Sequence, residues 1–262
     1  MISGEYMYKI DLNCDLGESF GAYTIGADSV VIPHISSANV ACGYHAGDAV
    51  VMRKTVELCS ENNVSVGAHP GFPDLAGFGR RNLAASPDEV YAYTLYQIGA
   101  LDAFCQAKGV SLQHVKPHGA MYNMAGKDNE LAKAIVNAIY DYNKELILLG
   151  LSGSCMIKAA EEKGLPFACE VFADRAYEAD GSLRARGKEG SMITDTDEAI
   201  ARVIKMITKH SVTAYSGEEI EINAHSVCVH GDGAKAIEFV KALQKAFSEN
   251  DIEVVSLSEV IG

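Results

Sequence analysis

Lys116 and His118 stand two residues apart in LQHVKPH, residues 112–118. The run reads as a strand, and strand alternation sends side chains two apart to one face. A lysine holds anions as a point charge, and a histidine moves protons near neutral pH. Side by side, the two point to substrate binding or acid–base catalysis. A second cluster lies in IDLNCDLGESFG, residues 10–21, where Asp11, Asn13, Asp15 and Glu18 crowd into what opens as a buried strand. Carboxylates are costly to bury without partners, so these residues mark either a solvated strand end or the rim of a site. Polar groups close other apolar runs as well. They are His45 in Cys42-Gly43-Tyr44-His45, His69 before Pro70-Gly71, Asp174-Arg175 with Glu178 just beyond, and His230-Gly231-Asp232-Gly233.

The elements that would position these groups alternate. Short apolar runs at 8–15, 36–43, 64–69, 112–118, 146–151, 166–173, 226–232 and 252–257 read as strands. Longer amphipathic stretches separate them. In AKAIEFVKALQKAFSEN, for example, Ala236, Phe239, Val240, Leu243 and Phe247 share one helical face. Ser86-Pro87-Asp88-Glu89 and Thr194-Asp195-Thr196-Asp197-Glu198 carry helix-start signals, a cap residue followed by acids in the first turn. Repeated strand–helix units predict a parallel sheet. Seven or eight of them over residues 1–262 fit one α/β domain, a closed or nearly closed TIM-like (β/α) barrel, better than an open sheet. The polar clusters fall at C-terminal strand ends, the face on which such barrels build their sites. Residues 211–225 break the rhythm and read as a small hairpin.

Composition narrows the partners. Twenty-two Lys and Arg against 35 Asp and Glu give a net charge of −13, which argues against nucleic acid or an anionic membrane as the main partner. Seven cysteines without a CxxC pair read as buried free thiols in a reducing compartment. No early stretch resembles a signal peptide and no apolar run could span a membrane, so a cytoplasmic location is expected. No P-loop occurs, the nearest miss being Ala125-Gly126-Lys127-Asp128, and no GxGxxG follows a strand; a nucleotide would be held by other means. The Gly-Ser-rich turn in 150–164 could present helix amides to an anion, a weak signal because capping uses the same residues. His34, His210 and His114 read as surface residues and His225 as structural. Tyr91, Tyr93 and Tyr96 fit either an interface patch or an ordinary half-buried helix.

Six motifs then run in register along nearly the whole chain: DLNCDLGESFG (11–21), SSANVACGYHAGD (36–48), VGAHPGFPDLAGFGRR (66–81), VKPHGAMYN (115–123), EVFADRAYEADGSLRAR (170–186) and CVHGDG (228–233). In these the chain resembles the LamB/YcsF family. The resemblance implies a barrel of the glycoside hydrolase/deacetylase type. It also implies ATP-dependent opening of 5-oxo-L-proline to L-glutamate, in company with subunits B and C of a 5-oxoprolinase. ATP would then be a co-substrate, with magnesium, and no tightly bound cofactor is expected.

Under that reading, Lys116 and Arg175 bind anions and Asp15 with His69 activates water. His118 or His230 donates a proton, and Asp174 orients Arg175 or a histidine. Asn13, Glu18, His45, Glu178 and Asp232 complete the substrate-binding set. No metal is firmly implied; Asp15, His45 and His69 are the candidates, in the manner of metal-dependent deacetylases with related barrels. The alternative function is such a carbohydrate deacetylase or amidohydrolase. A non-catalytic regulatory or transport-associated subunit fits less well, because a scaffold gains nothing from desolvating so many polar groups. As rim residues, Asp15 and Lys116 are expected to tolerate alanine without a large change in Tm.

Overall fold

A computed structural model of the chain describes residues 7–229 and 234–262. His230 and Asp232 lie outside the described residues. The strands are β1 (Tyr8–Leu16), β2 (Ser37–Ala41), β3 (Ser65–His69), β4 (Leu112–Val115), β5 (Ile147–Leu151), β6 (Phe167–Phe172), β7 (Ser211–Thr213), β8 (Glu219–Glu221), β9 (Ser226–Val229) and β10 (Ile252–Val254). Between and after them run α1 (Asp28–Val31), α2 (Ala49–Glu61), α3 (Pro87–Lys108), α4 (Gly119–Ala125), α5 (Asn129–Tyr142), α6 (Cys155–Lys163), α7 (Thr196–Lys209), α8 (Ala234–Glu249) and α9 (Leu257–Ile261). Strands β1 to β6 and β9 pair in parallel in chain order, and β9 closes back onto β1, giving a seven-stranded TIM-like barrel. The eighth expected strand, β10, flanks the barrel. It pairs with Tyr8–Ile10 at the start of β1, whereas β9 takes Asp11–Cys14. Strands β7 and β8 form the expected antiparallel hairpin.

The sequence of β1 explains its odd composition. Along IDLNCDL, Ile10, Leu12, Cys14 and Leu16 are buried in the apolar core shared with the helices. The alternate residues Asp11, Asn13 and Asp15 turn the other way, into the barrel, where they meet Ser226, Asn39 and Lys116. The barrel interior against β1 is therefore polar, unlike the branched apolar filling common in such barrels, while Ile147, Leu149 and Ala168 of β5 and β6 form a small apolar cluster with Leu257.

Local signals set the helix limits. Asp48 caps α2 by accepting from the Val50 and Val51 amides. Ser86 and Glu89 form a capping box with Pro87 at the first position of α3, and Gly109 ends that helix in the left-handed conformation. On α3, Tyr91 bonds Asp141 of α5 and Tyr93 packs edge-on to Tyr44, as on a half-buried helix. Six of the seven free cysteines are buried. The expectation for His114 is overturned. It is fully buried inside the barrel because β4 turns it inward, toward Asn39. Gly67 on β3 makes room for it, since a methyl group there would fall within the imidazole ring.

Candidate active site

The barrel floor is a closed hydrogen-bond network. Asp11 Oδ1 accepts from Ser36 Oγ (2.7 Å) and Ser37 Oγ (2.6 Å), and Oδ2 accepts from Ser226. Ser226 accepts in turn from Asn13 Nδ2 (2.7 Å). Asn13 Oδ1 accepts from Asn39 Nδ2 (2.8 Å), and Asn39 Oδ1 accepts from His114 Nε2 (2.7 Å). Burial pushes the Asp11 carboxyl up to about 6 against the opposing pull of the three serine hydroxyls. Burial, with the nearby Lys116 charge, brings His114 down to about 3.

Above this floor Lys116 reaches in from the end of β4. Its Nζ forms an ion pair with Glu170 Oε1 at 2.6 Å and donates to Asp15 Oδ1 (2.9 Å), Asn13 Oδ1 (3.2 Å) and Cys228 Sγ (3.3 Å), so its three protons are all engaged. Glu170 is fully buried, and its second oxygen accepts from Tyr122 (2.7 Å). Burial works against the Lys116 charge, but the Asp15 and Glu170 carboxylates outweigh it and hold the ammonium well above its ordinary range. Cys228 Sγ is 3.3 Å from Nζ, but burial pushes its thiol well up and it stays neutral. For Asp15 burial again opposes charge. The His69 ring and Lys116 reverse that and hold the carboxyl well below the usual range.

Beside Asp15 the ends of β1 to β4 bring four more groups together. His69 Nε2 is 3.3 Å from Asp15 Oδ2 and 3.0 Å from His118 Nδ1. Glu18 Oε1 lies 3.5 Å from His45 Nε2 and 3.8 Å from His118 Nδ1. The rings of His45 and His118 stack at 3.7 Å, nearly parallel. Gly79, at φ +62°, admits both rings, since a Cβ there would sit 2.6 Å from His45 Cβ and 2.9 Å from His118 Cδ2. Burial drives His45 well down and His118 to about 3, with the neighbouring histidines adding to both.

As to metal, Glu18, His45, His69 and His118 each offer one donor atom, all within 4.8 Å of one another. Two of the expected trio, His45 and His69, belong to this set, which adds Glu18 and His118 and leaves out Asp15. Asp15 gives one oxygen to Lys116 and Asn39, and it is Glu18 that faces His45.

The cluster opens into a cavity of about 890 Å³ lined by Asp15, Lys116, His118, Arg175 and Arg186, among others. Its cationic side chains, Arg80, Lys116, Lys127, Arg175 and Arg186, outnumber the acidic Asp15, Asp128 and Asp180, although the chain as a whole is acidic. Arg175 is buried, gives Nη2 to the Arg184 carbonyl (2.6 Å), and has no hydrogen-bond partner at Nε. Asp174 adjoins it and supports its charge. Glu178 is not brought into the cavity; it pairs with Arg184 (2.9 Å) and Lys188 (3.5 Å) in the excursion after β6.

Asp15, Asn13, Glu18, His45, His69, Lys116 and His118 thus come together, with Arg175 on the cavity wall. Sequence reasoning missed Glu170, Asn39, His114 and Tyr122. For two of them the available signal was a polar residue inside an otherwise apolar strand, Glu170 in FACEVF and Asn39 in SANVA.

The LamB/YcsF family model matches residues 10–262. A relative from Clostridium beijerinckii, named as the A subunit of 5-oxoprolinase, is 62% identical over 97% of this chain and 100% of its own length. One of the same name from Pyrococcus abyssi is 54% identical over 97% of this chain and 100% of its own. The crystal structure of a lactam utilization protein from Thermus thermophilus superposes with a TM-score of 0.89 at 45% identity, covering 95% of this chain and 99% of that one. A family 4 carbohydrate esterase from Streptomyces lividans shares the fold alone, with a TM-score of 0.50 at 10% identity over 95% of this chain and 92% of its own. Among the described residues no helix is long and apolar enough to cross a membrane.

Proposed function

We propose, from the premise that the chain belongs to the LamB/YcsF family, that it opens the lactam ring of 5-oxo-L-proline to L-glutamate within an ATP-consuming 5-oxoprolinase. The names carried by relatives at 62% and 54% identity support this reading. The observation that carries it is Lys116, a buried cation clamped between Asp15 and Glu170 beneath a cavity whose charged wall residues are mainly cationic. Such a wall suits an anionic substrate, and its size leaves space for more than a single-ring lactam. ATP with magnesium is the co-substrate in this proposal, and subunits B and C are the partners.

A lactam is a stable amide, and phosphorylation makes its carbon attackable. The γ-phosphoryl group of ATP passes to the lactam oxygen, releasing ADP. Water adds to the ring carbon and gives its proton to Asp15. The C–N bond then breaks, and the nitrogen takes that proton to become the amino group of the product. A second water releases phosphate from the resulting acyl phosphate, leaving glutamate. Lys116 has no free proton for substrate; its part is to keep Asp15 ionised as the base. Arg175, with an unpartnered Nε, takes the substrate carboxylate. His118 is neutral and commits its Nε2–H to the Phe78 carbonyl (2.9 Å), so it presents a lone pair where a general acid would need a proton.

The test measures glutamate formed from 5-oxoproline, with and without ATP, by this chain alone and with the products of its neighbouring genes. ATP-dependent glutamate in the mixture is expected, falling about 100-fold or more with Asp15→Asn. Turnover that ignores ATP, or none in any mixture, would overturn the reading. The Glu18–His45–His69–His118 cluster favours one other, metal-dependent hydrolysis of an amide or ester without ATP, and the same assay separates the two.

A further inference from the structure

We infer that Glu18, His45, His69 and His118 form a binding site for one zinc-class transition-metal ion at the mouth of the barrel. The hydrogen bonds around the rings carry the inference. His69 Nδ1 is 2.6 Å from the Lys116 carbonyl oxygen, and His118 Nε2 is 2.9 Å from the Phe78 carbonyl oxygen. A carbonyl only accepts, so each ring must turn an N–H outward. Their inward nitrogens, 3.0 Å apart, are then two lone pairs aimed at each other. A positive centre relieves that arrangement, either a proton on one ring, which on His69 Nε2 also faces Asp15 Oδ2 at 3.3 Å, or a metal ion held by both. Outward N–H groups pinned by backbone carbonyls are also the usual support of metal-bound histidines.

His45 decides between the two. It is fully buried, and neither of its ring nitrogens has a hydrogen-bond partner. A proton shared by His69 and His118 would leave it so, at the cost of an unsatisfied buried polar group. A metal ion would engage Nε2 of His45 together with Glu18 Oε1, 3.5 Å away. The spacing fits. Ligands at about 2.1 Å from a tetrahedral ion lie about 3.4 Å from one another, and the donor pairs here are 3.0, 3.5 and 3.8 Å apart. Three imidazoles and one carboxylate suit zinc, cobalt or nickel, whereas magnesium and calcium call for an all-oxygen set. The four ligands come from the ends of four consecutive strands, β1 to β4, so the barrel itself sets their geometry. When bound, such an ion would supply positive charge next to Asp15. The inference does not depend on which amide the protein opens, because uptake is read without turnover.

The experiment strips the full-length chain with a chelator, dialyses it against zinc chloride in excess magnesium, and counts metal by mass spectrometry. One zinc per chain is expected, with a rise in Tm. Cobalt in its place should give the visible absorption of a low-coordinate nitrogen-ligated ion. His45→Ala should weaken zinc binding by at least about tenfold. Glu18→Gln, at a side chain 12% exposed and thus safe for folding, should do the same with an unchanged circular dichroism spectrum. Retention of no zinc, with a strongly downfield imidazole proton in the NMR spectrum, would establish the shared proton and overturn the inference. So would zinc that survives both substitutions but is lost on blocking the cysteine thiols.

Discussion

Asp11 on the barrel floor and His45 at its mouth are both fully buried, yet their surroundings differ. Both oxygens of Asp11 are taken up by serine hydroxyls, and the chain of partners continues through Asn13 and Asn39 to His114. Neither nitrogen of His45 has a hydrogen-bond partner, and around it His69 and His118 face one another nitrogen to nitrogen. The floor resembles a solved hydrogen-bond puzzle, the condition under which a polar interior is stable. The mouth is completed only by something the protein binds. The difference separates residues that hold the barrel from residues that serve its ligands, a separation not visible from residue type. Lys116 sits on the boundary, touching Asn13 below and Asp15 beside the cluster.

The largest expected effect tests that boundary. Lys116→Met leaves the Glu170 carboxylate buried with no cation, a loss of roughly 3–5 kcal/mol for a broken buried pair. Urea denaturation should show it as a lower midpoint, alongside loss of turnover. This revises the expectation that Lys116 could be removed without cost to Tm, which rested on its reading as a rim residue. Lys116→Met combined with Glu170→Gln should recover most of the stability and none of the activity. If the single variant melts with the wild type, Lys116 belongs wholly to the mouth.

A second test separates two floor residues by sign. His114 is held neutral down to about pH 3, whereas the unfolded ring takes a proton near 6.5. Unfolding therefore takes up a proton between those values, and stability falls as pH drops through them. Asp11 works in reverse. Its folded carboxyl takes its proton near pH 6 and its unfolded one near 3.8, so between those values stability rises as pH drops, by about 3 kcal/mol in all. Between pH 6 and 4 the two offset each other. Relative to wild type, His114→Gln should become steadily more stable as pH falls over that range, and Asp11→Asn steadily less stable. Urea titrations at half-unit pH steps would read the two slopes; parallel slopes would mean the floor network does not titrate as a unit of opposed groups.

The floor was more legible in the sequence than its reading allowed. Period-two alternation in IDLNCDL states which face of β1 is polar, SANVA repeats it with Ser37 and Asn39, and Glu170 stands out as the lone carboxylate in the apolar run FACEVF. An apolar barrel interior is the usual expectation, and it hid both these residues and the burial of His114. The strand–helix rhythm and the C-terminal clustering were direct consequences of local periodicity, so the barrel and the face of the site could be read without coordinates. Which carboxylate meets which histidine could not. Asp15 and Glu18 are three residues apart, and Glu18 rather than Asp15 meets His45 once the chain has left β1 through Gly17 at φ +68°. Glu178 was misplaced for a related reason. The chain doubles back after β6, with Tyr177 bridging Leu183, and a strand-end position no longer implies facing the cavity.

The smallest expected effect sharpens that last point. Glu178 is half-exposed and pairs with Arg184 at 2.9 Å and Lys188 at 3.5 Å. Pairs of this exposure are worth about 1 kcal/mol at most, and less in salt. Glu178→Gln should therefore shift the urea midpoint only slightly, with the shift shrinking as salt is added. It should leave KM for the substrate within about twofold, because no atom of the cavity wall loses a partner. Arg175 offers the contrast on the same excursion. Arg175→Ala removes the buried guanidinium that faces the cavity and should raise KM sharply. If Glu178→Gln raised KM as much as Arg175→Ala, the excursion would have to fold Glu178 over the substrate when it binds. The division between scaffold and site would then run through the loop, three residues from where the structure draws it.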